Sequence, residues 1–348
     1  MFIFSYKNVA AVLKNTVSHS TASLPGLVAT ERLGGTPAKI LRTWPREAIL
    51  VISPNAQRVS ASLGRIRAEL ARAGITIIDE ITIESIDRLE KHLSSKGSRR
   101  LVAVAGGDGT VGSVANKVAN RRATMAIFPL GTCNDFARAL GIPTNITKAV
   151  RLLNEGKEST VDLGRLVVQK RPPRHFVHAA AVGVSVGFAK LATRAALRQR
   201  LGRLTYIVSW ASALWHRRSF QCRLTVDGYV EELALLQLLI NNTPVFGGFL
   251  GLRIPGSNVD DRIFDVIAIE DVPLHKLALV GVRLVLRHPL RVTGIRIFRV
   301  GCVRVHAYQP FDVALDGEVV GSLPAAEFDV AKDALRVIIP LDVEDIDV

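Results

Sequence analysis

The sequence predicts an α/β fold in two parts, an N-terminal parallel-sheet domain followed by a second, mostly antiparallel β-rich domain. Three observations carry that expectation. Between residues 48 and 143 short apolar runs alternate with segments of helical period, the pattern of a parallel sheet covered on both faces. Beyond Gly164 the alternation gives way to strand-like segments with turn signals at Asp227-Gly228 and Asp316-Gly317. The chain has 348 residues, of which 48% are hydrophobic and 22% charged, enough for two ordinary cores.

Taken in order, residues 1–45 are rich in Ser, Thr and Gly with little periodicity, and read as a loosely ordered extension or a short surface-anchoring segment. Met1-Phe2-Ile3-Phe4 is apolar, but no basic stretch precedes it and no clear cleavage site follows, which argues against a secretory signal. Residues 48–52 form the first strand, and Ser53-Pro54-Asn55-Ala56 ends it. The spacing predicts a helix over 57–73, with Val59, Leu63, Ile66 and Leu70 on one side and Gly74 as its stop. A second strand is expected at 75–78 and a second helix at 85–93. Boundaries follow at 46–160 for the first domain and 161–324 for the second, with 325–340 able to return to the first.

Residues 101–143 hold the most informative pattern. The apolar run 101–105 breaks into Gly106-Gly107-Asp108-Gly109-Thr110, and a helical pattern continues from Val111. Glycines so closely spaced are costly unless the backbone turns sharply or an anion must come close. A turn at a helix N-terminus presents free N–H groups and a positive dipole end, which suits phosphate. The unit repeats in outline: a strand at 123–128, a turn at 129–132, and a short helix opened by Asn134-Asp135-Phe136-Ala137-Arg138 and closed by Gly141 and Pro143. Backbone N–H groups and the Thr110 hydroxyl can cradle phosphate, and Thr132 and Asn134 offer further donors. Carboxylates at Asp108 and Asp135 suit Mg²⁺, a hard ion that prefers oxygen.

Charge and composition narrow the partner. A formal charge of +14 and a pI near 10.2 point to something anionic. No long Lys/Arg block or basic-aromatic run occurs and only 6% of residues are aromatic, which favours an anionic membrane over nucleic acid. Residues 190–223 carry Arg194, Arg198, Arg200, Arg203, Arg217 and Arg218 beside Tyr206, Trp210 and Trp215 with no acidic residue. Residues 275–290 carry Lys276, Arg283 and Arg287 among aliphatic residues. Both read as helices whose basic faces suit anionic lipid or, equally, solvent over a packed core. The uncharged window 233–252 contains Asn241-Asn242-Thr243-Pro244 and Gly247-Gly248, so it reads as a buried strand and a loop rather than a membrane span. Cys133, Cys222 and Cys302 are far apart and odd in number, which fits a reducing, cytoplasmic setting. Eight histidines show no metal-binding spacing, so His175 and His178 read as structural.

GGDGT at 106–110 with PLGTCNDFARALGIP at 129–143 resembles the diacylglycerol kinase catalytic family, which includes bacterial lipid kinases and sphingosine kinases. The first motif alone is also similar to glycine-rich turns of NAD kinases and phosphofructokinases; the second is far more specific. The resemblance implies a nucleotide-binding first domain and ATP- and Mg²⁺-dependent transfer of the γ-phosphate to a hydroxyl of a diacylglycerol- or sphingoid-type lipid. It implies metal-linked roles for Asp108, Asp135 and Asp162, nucleotide contacts at Ser53, Asn55, Thr82, Gly106, Gly107, Gly109, Thr110, Thr132 and Asn134, and a general base at Asp316 or Glu318. A cytoplasmic enzyme in peripheral contact with an anionic membrane follows, with a homodimer left open.

The chain departs from that family at three places. The first strand usually ends in Asn-Pro-x-x-Gly, whereas Ser53 to Gln57 lacks the first Asn and the Gly. Asn-Glu is usual after GGDGT-x, where Gly112-Ser113 stands. Many bacterial members have a D-x-x-D-G-L loop holding a structural Mg²⁺; around Asn258, Asp261 and Ile263 one carboxylate has become Asn258 and the glycine has become Arg262. Two other readings stay open: a non-catalytic lipid-binding or regulatory protein on the same fold, and an enzyme of the NAD kinase type. The lipid itself is not legible, because a pocket's shape cannot be read from composition.

Overall fold

The computed structural model describes residues 44–53, 57–94, 99–183, 219–246, 257–273 and 293–341, with positions 186, 252–253, 275–276, 279 and 283 between them. The N-terminal extension, Asn55 and most of the two basic stretches lie outside the described residues. The stretch at 190–223 is not helical to its end, because 220–223 belong to a strand.

The first part opens with β1 (Glu47–Ile52), α1 (Gln57–Arg72) and β2 (Thr76–Thr82). A 3₁₀ turn at Ile83–Ser85 and α2 (Arg88–Leu93) follow, then β3 (Arg100–Gly106), α3 (Asp108–Val118) and β4 (Ala123–Pro129). β1 pairs in parallel with β2 and β3, and β3 with β4. β3 and β4 are buried almost throughout, as strands covered on both faces must be. β2 runs four residues beyond the expected 75–78. It lies at the end of the sheet order, where Asp79 and Glu80 reach Arg88, His92 and Arg67 instead of entering a core. The expected helix at 85–93 is confined to α2 because its start winds as a 3₁₀ turn.

Two short helices, α4 (Asp135–Ala139) and α5 (Ile146–Glu155), lead into β5 (Lys157–Val167). Asn145 caps α5 by accepting the Lys148 N–H at 3.1 Å. The second part is built from β6 (Arg174–Phe176), β7 (Ala179–Gly183), β8 (Phe220–Val226), β9 (Tyr229–Asn241), a small pair β10 (Val245–Phe246) and β11 (Leu252–Arg253), β12 (Phe264–Glu270), β13 (Ile295–Val300), β14 (Cys302–Leu315) and β15 (Glu318–Ile339). All pairings within this part are antiparallel.

β15 joins the two parts. Its first half pairs with β14, its second half, from Glu327 to Ile339, pairs with β5, and Arg336 and Val337 pair in parallel with Thr124 and Met125 of β4. Apolar side chains accordingly form two clusters. One surrounds Leu50, Val102, Phe128 and Val337, and the other surrounds Phe176, Phe264 and Phe328. Phe176 stacks on Phe264 at 5.9 Å and meets Phe328 edge-on at 6.4 Å. Each such ring contributes about 1.5–3 kcal/mol through burial. Asp162 sits where the clusters meet, 3% exposed. Its carboxylate accepts the backbone N–H of Asp333 at 2.8 Å and of Arg262 at 3.0 Å.

Both Asp-Gly hairpins form. Asp227-Gly228 has φ values of 47° and 85°, and Asp316-Gly317 has 49° and 86°. Positive φ at both central positions defines the type I′ turn and explains the residue pair.

A candidate active site where two glycine turns meet a hairpin

The strand registers bring the expected site residues to one edge of the sheet. Ile52 lies opposite Thr82 and Ala105, and Gly106 opposite Pro129, so Ser53, Thr82 and both glycine turns follow adjacent strand ends. Ligands bind at such carboxyl ends in α/β sheets. α3 begins at Asp108 with Gly107 as its N-cap, earlier than the helical pattern from Val111 implies. Asp108 therefore lies in the first helical turn, and Gly109 and Thr110 lie within the helix.

The two turns touch backbone to backbone. A Cβ on Gly131 would lie 2.6 Å from the Gly107 Cα, and one on Gly106 would lie 2.6 Å from the Thr110 Cβ. Only glycine permits that approach. Gly109 has no atom within 4 Å of its Cβ position, which leaves the helix end open to a ligand. Asn134 adopts a left-handed φ of 52°. Its Oδ1 accepts the Gly131 N–H at 2.8 Å and its Nδ2 donates to the Gly131 carbonyl at 3.0 Å, so its amide locks the second turn. Thr132 is exposed beside it.

Carboxylates converge next to these turns. Asp108 Oδ1 accepts the Phe136 N–H at 3.3 Å, which ties the first motif to the start of α4. Asp135 is 4% exposed, with Arg138 at 3.5 Å and His178 Nε2 at 3.8 Å. Burial, together with the Asp135 and Asp108 charges, pushes the Cys133 thiol up from its ordinary range. Asp316 accepts three backbone N–H bonds, from His178 at 2.8 Å, Val177 at 2.9 Å and Ala179 at 3.1 Å. These donors favour the charged carboxylate, but burial outweighs them and Asp108 adds to it, so the Asp316 pKa rises to about 6. Asp227 occupies the same turn geometry without such bonds among the described contacts, which separates the two hairpins.

A cleft of about 180 Å³ opens beside Asp316, lined by Gly109, Gly112, Ser113, Asn116 and Glu318 among others. Glu318 is exposed on its rim. The structure thus gathers Asp108, Asp135 and Asp316 around the turns and puts Glu318 at the opening. Asp162 instead lies at the junction of the two cores with both oxygens on backbone N–H groups. Among the described residues no three His, Cys, Asp or Glu side chains form a group able to hold a metal ion. Two carboxylates still fit Mg²⁺, which commonly keeps several waters and takes its remaining oxygens from substrate phosphates.

His178 is the residue whose place the sequence does not disclose. Thr243 Oγ1 donates to the Val245 carbonyl at 3.0 Å and so accepts from His178 Nδ1 at 2.7 Å. The hydrogen-bond network therefore assigns the proton to Nδ1 and leaves Nε2 facing Asp135. Burial lowers the His178 pKa, against the pull of Asp108. No motif marks this position; the backbone bond to Asp316 is what brings it in.

Comparison with known proteins identifies the family. Residues 47–166 match the diacylglycerol kinase catalytic domain, and residues 180–339 match the YegS C-terminal NAD kinase beta sandwich-like domain. The diacylglycerol kinase of Staphylococcus carnosus is 30% identical over 271 residues, covering 76% of this chain and 83% of that protein. The chain belongs to the diacylglycerol kinase family. Another member, the diacylglycerol kinase of Bacillus subtilis, is 29% identical over 243 residues, 69% of this chain and 78% of that one. The crystal structure of a diacylglycerol kinase from Bacillus anthracis superposes with a TM-score of 0.66 over 86% of this chain and 99% of that one, at 22% identity, and so shares the fold. In this diacylglycerol kinase-family chain the two glycine turns and Asp135 fall within the first matched domain, and Asp316 and Glu318 within the second.

Proposed function

We propose that this protein is an ATP-dependent lipid kinase that transfers the γ-phosphate to a hydroxyl of a diacylglycerol- or sphingoid-type lipid. The observation that carries the reading is the convergence of Asp316, with a pKa raised to about 6, on the Asp108 turn at the mouth of the cleft. A carboxyl poised near neutral pH can accept the proton that the attacking hydroxyl must lose. The three N–H groups on Asp316 fix its direction, so the proton acceptor is held in place before substrate arrives. Glu318, one residue beyond the turn, lines the rim where the acceptor enters.

Gly106, Gly107, Gly109 and Thr110 form the phosphate cradle, and Asn134 keeps the second turn in register with it by holding Gly131. Ser53, Asn55, Thr82 and Thr132 are the further nucleotide contacts of this reading. Asp108 and Asp135 would hold Mg²⁺, which offsets phosphate charge when bound. Asp162 joins the Arg262 and Asp333 backbones through its carboxylate, a supporting role at the junction of the two cores. The parallel-sheet part over 46–160 carries the nucleotide, the antiparallel part over 161–324 carries the lipid, and 325–340 completes the first. A net charge of +14 supports peripheral contact with an anionic membrane from the cytoplasmic side.

The test is a panel of diacylglycerol, sphingoid base, ceramide and phosphatidylglycerol in mixed micelles with Mg²⁺ and γ-labelled ATP. Labelling of one lipid supports the reading. Labelling of NAD in place of every lipid, or of nothing although ATP and anionic vesicles bind, sinks it.

A further inference from the structure

The loop between β11 and β12 folds back on its own polar side chains and on an arginine from β13. Asp261 Oδ1 accepts the Ile263 N–H at 3.2 Å and Oδ2 accepts the Asn258 N–H at 3.2 Å. Asn258 turns its Oδ1 inward onto the Val259 N–H at 2.9 Å. Arg262 holds a left-handed φ of 63° at the position where the family pattern has glycine, the residue that adopts such a φ most readily. Asp265 follows at the start of β12, 1% exposed, and burial raises its pKa against the pull of Ser257 and Arg299.

Arg299 of β13 stands opposite Asp265 in the strand register. Its Nη2 lies 3.0 Å from Asp261 Oδ2 and its Nε lies 3.2 Å from Asp265 Oδ1. The Nε contact is close without being aligned as a hydrogen bond, because Asp265 Oδ1 has no hydrogen-bond partner among the described residues. One guanidinium thus spans two carboxylates that would otherwise face each other across the loop.

We propose that the Arg299 guanidinium takes the place of a structural divalent cation in the 257–265 loop, so that this loop closes on an internal cation and binds no Mg²⁺. The residues present do not fit the metal. Asn258 contributes no charge and its side-chain oxygen already accepts a backbone N–H, and of the loop's three carboxylates Asp260 is exposed while Asp261 and Asp265 both face Arg299. A divalent ion entering here would meet a fixed positive charge within the reach of the same oxygens. Backbone anchoring completes the arrangement: the Val259 carbonyl accepts the Asp162 N–H at 3.0 Å, and Arg262 donates to the Asp162 carboxylate. The loop is therefore joined to the two-core junction without a metal. This inference stands apart from the proposed catalysis, since it concerns neither ATP nor lipid.

Mn²⁺ as a paramagnetic probe tests it on the nucleotide-free full chain. Backbone amide signals of residues 258–263 should stay sharp at equimolar Mn²⁺ in the wild type. In Arg299→Gln the freed carboxylates should take up the ion, and the same signals should broaden. Broadening at 258–263 in the wild type overturns the proposal. A folded Arg299→Gln that shows none also overturns it, because the guanidinium then stands in for no cation. Should that variant fail to fold, the wild-type titration decides alone.

Discussion

Gly112 and Asp316 are packed so closely that a Cβ on the glycine would lie 2.8 Å from Asp316 Oδ2. The carboxylate cannot swing away freely, because three backbone N–H groups hold it. Gly112→Ala in an ordinary helix interior gains about 1 kcal/mol. Here crowding decides the sign, and the variant should lose about 1–3 kcal/mol of stability and about tenfold or more in kcat. Denaturant midpoints beside steady-state rates check both. A stabilised, fully active variant contradicts the packing.

Asp316→Asn should abolish most turnover while leaving the fold intact. The amide cannot accept on both sides, but loss of the buried charge offsets that cost, so stability should change by about 1 kcal/mol or less. Activity should fall about 100-fold or more, the usual range for removing a general base. Asp227→Asn, in a turn of the same φ values, should change neither quantity. Equal effects from the two substitutions would reduce Asp316 to a turn residue.

The pH dependence has a defined sign. Asp316 rises from its ordinary 3.8 to about 6. Between those values the folded chain keeps a proton that the unfolded chain has released, so the stabilisation is complete at the acid end and lost as pH rises through about 6. With Asp316 in the proposed role of base, catalysis should run the other way, because the carboxylate must be ionised to accept a proton: kcat/KM should climb across the same region. Comparing wild type with Asp316→Asn by unfolding at several pH values isolates the first effect. A stability difference that does not vary with pH would remove the raised pKa from the account.

Asp162 separates a supporting role from a metal role. Asp162→Ala leaves the Arg262 and Asp333 N–H groups without their acceptor in a nearly closed site, at a cost of about 2–5 kcal/mol. Asp162→Asn retains one acceptor and should cost less. Its folded fraction should keep the wild-type dependence on Mg²⁺ and ATP concentration, whereas Asp108→Asn should shift both. A matching shift in Asp162→Asn would return this carboxylate to the metal.

Much of the fold was legible because its signals are local. Apolar runs at 101–105 and 123–128 gave β3 and β4, Gly74 closed α1 near its predicted end, and both Asp-Gly pairs marked real hairpins. The length of β2 was not, since Asp79 and Glu80 interrupt the apolar run and pair with charges on α1 and α2. The glycine turns were legible as sharp, closely packed backbone turns at strand ends. What Asn134, Asp162 and His178 do could not be read, because their partners lie on other strands or across a turn whose path the sequence does not print. Arg299 was silent for the same reason: it faces Asp265 only once β12 and β13 are in register.

The most direct test of the central claim is γ-phosphate transfer to the lipid panel by the wild type, Asp108→Asn and Asp316→Asn, with ATP binding and folding verified for each. One class of lipid should be labelled by the wild type, with labelling lost in both variants while they remain folded. Undiminished labelling by folded Asp316→Asn, or no labelled lipid from an ATP-binding wild type, contradicts it.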